Sequence, residues 1–226
     1  MTKKRALFDE WPEKYDQWFT TPIGALVKKY ETELMLELLK PVSGEQVLDA
    51  GCGTGVFTFD ILASGANVIG LDISLPMLRR AGEKLAAYPF FPVLGDIAKL
   101  PFREGIFDKV VSITAIEFIK DAKRCVAELF RVTKRGGVVT VANLNSLSPW
   151  AICRIEKAKK EKSIFHEAIF RSPDDLVSLV PVKGEVRTAV HFQKEDLLEK
   201  AVETERQGRI RGLSTGAFAM VQWFKP

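Results

Sequence analysis

The sequence predicts an α/β protein built on an open, mostly parallel sheet with helices on both faces. Two observations predict it. The middle of the chain holds short apolar runs that are continuous rather than alternating, such as "QVLDA", "FDKVVSI" and "VVTVAN", as strands buried on both faces require. Each run is joined to the next by a stretch with helical spacing, the alternation that builds a parallel sheet.

The elements follow in chain order. Residues 22–40 read as an amphipathic helix ahead of the first strand, 46–50. "VFTFDILASG" is a helix closing at Gly65, and 67–73 a second strand. Residues 74–88 form a helix with Ser74 as N-cap and Pro76 in its first turn, where a fixed φ and a missing N–H cost nothing. Residues 91–96 and 107–113 are the third and fourth strands. In 121–137, Val126, Leu129 and Phe130 repeat at helical spacing, basic residues crowd the last turn and glycines stop the helix. Residues 138–143 are the fifth strand, 148–162 a helix, and "SPDDL" opens a short one at 172. Two late strands read at 185–192 and 216–224, with 193–204 helical between them and 205–215 a loop.

A chain of 226 residues, 46% hydrophobic and 27% charged, suits one well-buried core, and no linker or repeat divides it. Its start has basic residues but no apolar stretch of signal length. Its longest apolar runs fall far short of the roughly 20 residues of a membrane helix. A cytoplasmic protein without a membrane span is expected. Net charge is +4, from 33 basic and 29 acidic side chains. Much of it lies in "RIEKAKKEK" (154–162), which reads as a solvated helix face or an anion-binding surface. Cys52, Cys125 and Cys153 show no paired spacing, so neither a disulfide framework nor a metal site is expected.

The stretch "VLDAGCGTGVF" (47–57) carries the chemistry. Gly51, Gly53 and Gly55 permit a tight turn and close approach of backbone to a ligand. The run is not G-x-G-x-x-G, and it lacks the lysine and Ser/Thr of a P-loop. Asp49 stands beside it. Two like unit charges about 4 Å apart, at an effective dielectric near 20, repel by roughly 4 kcal/mol, so a carboxylate here disfavours pyrophosphate. It suits a phosphate-free adenosine compound bearing a cation, such as S-adenosylmethionine (SAM) with its sulfonium and ammonium groups.

"DAGCGTG" resembles the first motif of class I SAM-dependent methyltransferases, an acid followed by G-x-G-x-G. Asp72 ends the second strand 21 residues after Gly51, where that family's acid accepts hydrogen bonds from the ribose hydroxyls. Asp96 ends the third strand, where the family's acid meets the adenine amino group beside Ile97. "FDKVVSITAIEF" and the helix after it resemble the small-molecule branch called methyltransferase type 11, which includes quinone-biosynthesis enzymes. The resemblance implies a Rossmann-like three-layer sandwich with seven strands, the last antiparallel. It divides residues 1–226, as one domain, into a helical lid (1–40), a SAM-binding core (45–143), an inserted acceptor-side segment (145–183) and C-terminal strands (184–226). It also implies that Ala50, Ile73, Met77 and Thr114 line the donor site with Asp49, Gly51 and Gly53. "YDQWF" (15–19) resembles the type 11 lid, in which a tyrosine, here Tyr15, closes over the cofactor; an aromatic face attracts a sulfonium.

In an open parallel sheet ligands sit outside the carboxyl ends of the strands, so the methyl acceptor should meet residues 113–118. "TAIEF" there lacks the Asn/Asp-Pro-Pro-aromatic motif of amino-methylating DNA, RNA and protein enzymes. No Pro-Cys pair offers a cytosine-attacking nucleophile either. A small molecule is favoured over nucleic acid; RNA or protein modification and non-catalytic SAM binding remain the alternatives. Methyl transfer from a sulfonium needs a general base only if the acceptor must lose a proton. Glu117 is the best-placed carboxylate for that role, and His166, in the inserted segment, the second candidate.

Overall fold

The computed structural model describes residues 6–160 and 163–226. Residues 1–5 of the expected lid, and Glu161 and Lys162 of the basic run, lie outside the described residues. The strands are β1 (Gln46–Ala50), β2 (Asn67–Asp72), β3 (Phe90–Leu94), β4 (Phe107–Ile113), β5 (Thr133–Leu144), β6 (Gly184–Ala189) and β7 (Phe218–Phe224). The helices are α1 (Pro12–Thr20), α2 (Pro22–Leu39), α3 (Thr58–Leu62), α4 (Leu75–Lys84), α5 (Ala122–Val132), α6 (Pro149–Lys160), α7 (Pro173–Val177) and α8 (Leu198–Ile210).

One seven-stranded sheet has the order β3-β2-β1-β4-β5-β7-β6. The pairs β1–β2, β1–β4, β2–β3 and β4–β5 are parallel, and β7 alone runs against its neighbours β5 and β6. This is the expected Rossmann-like sandwich. The order reverses between β1 and β4, so the carboxyl ends of those two strands open the crevice in which such sheets bind ligands.

The continuous apolar strands have a direct cause. Along β1, Val47 packs into the cluster that includes Leu34, Leu38, Ile61 and Leu78, whereas Leu48 packs into the one that includes Val126, Leu129 and Leu176. Val111 and Val110 of β4, and Ala142 and Val141 of β5, divide in the same way. Both faces are covered, so neither can be polar. Local caps fix the helix starts. The Thr21 hydroxyl accepts from the Gly24 amide at 3.1 Å, the Asp121 carboxylate from the Arg124 amide at 3.1 Å, and Ser172 forms a reciprocal capping box with Asp175.

Several boundaries shift by a few residues, with α4 ending at Lys84, β3 at Leu94 and β6 at Ala189, and two differ for reasons of packing. Helix α5 stops at Val132, and Thr133 already pairs with Phe107. Gly136 and Gly137 therefore serve a strand and not a helix end. A Cβ on Gly137 would lie 2.6 Å from the Asp108 carbonyl, and Gly136 has φ +74°. The second difference is α8, which covers Leu198–Ile210 where 193–204 was expected. Residues 205–210, expected in a loop, are its last turns. Gly208 is not a breaker: a Cβ there would stand 2.2 Å from the His191 ring, so the helix needs glycine to dock.

Among the described residues no helix is long and apolar enough to cross a membrane, and no group of three or more His, Cys, Asp or Glu could hold a metal ion. All three cysteines are free thiols, with Cys52 and Cys125 buried.

Candidate functional site

Strand β1 runs straight into the glycine turn. The amides of Gly51 and Cys52 donate to the Leu71 carbonyl at 2.6 and 3.1 Å, tying the turn to the end of β2. Gly51, Gly53 and Gly55 have φ of +85°, +54° and +76°, a region that side chains disfavour. Their surroundings differ. A Cβ on Gly51 would lie 2.5 Å from that of Ala115, and one on Gly55 2.7 Å from Leu85, whereas one on Gly53 would meet nothing within 4 Å. Gly51 is thus required by packing against the end of β4, and Gly53 faces open space where a ligand can approach.

Asp72 organises this turn. Its carboxylate accepts from the Gly53 amide at 2.9 Å and from the Ser74 amide at 2.8 Å. Burial pushes its carboxyl up, and those amides oppose the shift. Asp49 is not the open charge at the mouth that the sequence suggested. It is 2% exposed and accepts a 2.7 Å hydrogen bond from the Thr58 hydroxyl. Burial raises it to about 7, with Thr58 opposing and Asp72 adding to the rise.

The N-terminal segment closes over both acids. The Ser74 hydroxyl donates to Asp9 at 2.7 Å. Asp16 of α1 accepts from the Thr54 hydroxyl at 2.6 Å, Arg80 Nε at 2.9 Å and Lys84 Nζ at 2.8 Å. Those hydrogen bonds hold its carboxyl below the usual range against the cost of burial. Arg80 and Lys84, two basic side chains beside the loop, are thereby neutralised. On the other flank, Phe8 meets Phe118 at 4.9 Å between ring centroids and Trp18 meets Trp150 at 6.4 Å. The segment is latched to the glycine turn on one side and to α6 and the 116–118 turn on the other.

The type 11 methyltransferase-domain family matches residues 48–141. Over 120 residues the chain is 39% identical to the malonyl-[acyl-carrier protein] O-methyltransferase of Pectobacterium atrosepticum, covering 53% of this chain and 47% of that protein. Over 140 residues it is 31% identical to the demethylmenaquinone methyltransferase of Renibacterium salmoninarum, covering 62% and 58%. The chain spans about half the length of the curated relatives it matches. A SAM-dependent methyltransferase structure from Thermotoga maritima shares the fold, with a TM-score of 0.70 over 97% of this chain and 98% of that one, at 22% identity. The methyltransferase-domain match thus begins in β1 and ends in β5, and takes in the glycine turn and the crevice beside it.

Around the crevice the other expected residues are placed unevenly. Ala50, Met77 and Ile97 are buried, at 0, 3 and 7% exposure, whereas Ile73 is 62% exposed. Asp96 is exposed and accepts from the Ala98 amide at 2.8 Å, an Asx turn that presents the Ile97 backbone. Thr114 has φ +45°, and its amide donates to the Ala142 carbonyl at 3.1 Å. Its side chain hydrogen-bonds Tyr15, whose phenol is raised above its ordinary value chiefly by burial and then by Glu31, with Glu117 and Asp49 adding to the rise. Tyr15 thus joins the donor side, Asp49 and Thr114, to a second group of acids.

That group is buried. Glu117 sits on the short 116–118 turn with 0% exposure, and neither carboxylate oxygen has a donor in hydrogen-bonding geometry. Burial pushes it to about 8, opposed by the charges of Arg171 and Arg154. Glu31 of α2 is 7% exposed, and burial with the Glu117 charge pushes it to about 8 while Arg154 draws it down. Arg154, counted from sequence within a solvated basic run, lies over the rings of Trp150 and Phe165, 5.1 Å from each. His166 is exposed to solvent on the 164–166 turn and is not drawn into this cluster. Sequence reasoning missed Glu31, Asp16, Asp9 and the inward turn of Arg154. One signal was available for Glu31: it lies four residues after Val27 and three before Leu34, on the buried stripe of α2.

Proposed function

We propose that the chain transfers a methyl group from SAM to a small-molecule acceptor. The donor would rest on the glycine turn with Asp49, Ala50, Gly51, Gly53, Asp72, Ile73, Met77, Asp96, Ile97 and Thr114 around it and Tyr15 closing over it. The observation that carries this reading is the sign of the charge at the turn. Asp72 holds the turn through the Gly53 amide, Asp49 lies buried behind it on Thr58, and two cations beside the loop, Arg80 and Lys84, are spent on Asp16. A pyrophosphate would meet the repulsion of Asp72, whereas a cation or a ribose hydroxyl would meet its remaining acceptor capacity.

When bound, SAM supplies a methyl group already activated by the positive sulfur. The protein's task is then to position and to exclude water. Near-attack geometry, with reacting atoms about 3 to 3.5 Å apart, can supply much of the acceleration. Asp72 keeps the turn in shape through Gly53 while its remaining acceptor capacity meets the ribose. The Phe8–Phe118 and Trp18–Trp150 contacts seal the crevice towards the 145–183 segment. Glu117, on the turn after β4, would take a proton from the acceptor where it is ionised. The two relatives are named for different acceptors, so the matched core does not itself specify one.

Isothermal calorimetry tests the donor assignment. Hydrogen bonds to a charged group contribute about 1.5 to 3 kcal/mol, so Asp72→Asn should weaken SAM binding by roughly 10- to 100-fold. Unchanged affinity would contradict the assignment.

A further inference from the structure

We propose that α6 docks the protein on an anionic lipid bilayer, with Ile152 and Ile155 entering the interface and Lys157, Lys159 and Lys160 meeting its headgroups. This surface lies outside the donor site and carries no part of the methyl-transfer step.

Helix α6 sorts the basic run by face. Trp150, Ala151 and Ala158 are buried, and Trp150 turns towards Trp18 of α1. Arg154 goes inward as well, over the rings of Trp150 and Phe165. Ile152 and Ile155 do not: they are 57 and 40% exposed. With Lys159 they are spaced i, i+3 and i+7, which sets all three on one stripe of the helix. Leu147, just ahead of the helix, is exposed too. Lys157, Lys159 and Lys160 crowd the last turn, all exposed, and Glu156 is the helix's one acid. Lys159 and Lys160 have no ion pair or hydrogen bond among the described residues.

Single exposed apolar residues are ordinary, and α8 supplies the contrast. Its Leu198 and Val202 also share a stripe and are exposed. The cations beside them are answered, however: Lys200 by Asp196 at 2.7 Å, Arg206 by Glu203 at 2.7 Å and Arg209 by Glu33 at 3.1 Å. Only α6 sets unpaired lysines next to its isoleucines. The surface that completes it is negative, with an apolar phase beneath the charge.

An anionic bilayer has that layering. An apolar stripe sinks to the boundary of headgroups and acyl chains, and long lysine stems let their charges reach the phosphates. A protein partner fits less well, because protein interfaces are poor in lysine and seat their apolar anchors in pockets. Neither of two surface cavities, of about 340 and 410 Å³, is lined by an α6 residue. A nucleic acid brings phosphates but no phase for the isoleucines. Among the described residues no helix is long and apolar enough to cross a membrane, so the attachment is peripheral. Trp150, on the opposite side of the same helix, packs towards the lid, and docking therefore sets the acceptor side of the crevice beside the lipid.

The experiment mixes the purified chain with vesicles of phosphatidylcholine, alone or with an equal part of phosphatidylglycerol, and follows co-sedimentation. Binding to the mixed vesicles should saturate, be at least tenfold tighter than to phosphatidylcholine alone, and weaken in high salt. Each basic residue near an anionic surface strengthens binding about fivefold, so Lys159→Gln with Lys160→Gln should weaken it about 25-fold. Ile152→Ser with Ile155→Ser should weaken it roughly tenfold or more. Leu198→Ser with Val202→Ser should leave it within about twofold, and all three variants should hold SAM as wild type does. No binding to the mixed vesicles, equal binding to both compositions, an affinity that neither α6 variant moves, or an equal loss in the α8 variant would each overturn the proposal. RNA or poly-glutamate held as tightly as the vesicles, with the isoleucines immaterial, would assign the face to an acidic polymer and overturn it too. None of these results touches the donor assignment.

Discussion

Replacing Glu117 by glutamine removes a buried charge while keeping the side chain's volume, and its effect on stability depends on pH in a direction the structure sets. The folded-state carboxyl titrates near 8 against an ordinary value of 4.5. Below pH 4 it is protonated in both folded and unfolded chains, and glutamine gains nothing. Between pH 4.5 and 8 the unfolded chain releases this proton while the folded one keeps it, so wild-type stability falls by about 1.4 kcal/mol per pH unit. Above pH 8 the loss is complete, on the order of 5 kcal/mol. Glutamine escapes it. At about 2 to 4 °C per kcal/mol for a chain of this size, Glu117→Gln should melt roughly 10 to 20 °C above wild type at pH 9 and nearly level with it at pH 4.5. Scanning calorimetry at both pH values checks this. A variant that melts at or below wild type at pH 9 would show that the folded protein ionises Glu117 without cost, and the claim of an unpaired buried carboxyl would fail.

Other consequences are as direct. Asp16→Asn removes the charge on which the latch converges; ion pairs of this exposure are worth up to about 1 kcal/mol, so SAM release, followed by Trp18 fluorescence in stopped flow, should quicken about fivefold. An unchanged rate would mean that the segment does not gate the site. Gly51→Ala places a Cβ 2.5 Å from that of Ala115 at φ +85°. It should cost about 2 to 3 kcal/mol and lower Tm by roughly 5 to 10 °C. Gly53→Ala, whose Cβ meets no neighbour, should cost about 1 kcal/mol in the melt and declare itself in weakened SAM binding. Equal melts for the two would contradict the distinction drawn between them.

How much was legible in the sequence follows from how local each feature is. The strands of the sheet centre were readable because both faces of each are covered, so Val47 and Leu48 are alike apolar although they serve opposite layers. The glycine turn and Asp72 were readable because strand, turn and helix are contiguous. The boundaries that moved did so where a glycine answers to a distant neighbour: Gly137 to Asp108, Gly208 to His191. The latch was invisible because Asp16 and Thr54 are 38 residues apart and nothing local marks their meeting. Asp49 was expected as an exposed charge because a sequence shows an acid before the loop but not the Thr58 hydroxyl folding back onto it. Arg154 looked like one more charge in a basic run; Trp150, one turn earlier on α6, and Phe165 beyond the helix hold its guanidinium over their rings.

The central claim is that the turn after β1 selects an adenosine compound that is cationic and free of phosphate. Titration of the purified chain with SAM, NAD and ATP in parallel calorimetry runs tests it most directly. The account predicts saturable binding of SAM and no measurable heat from NAD or ATP. Binding of either phosphate compound at an affinity equal to or tighter than that of SAM would contradict it.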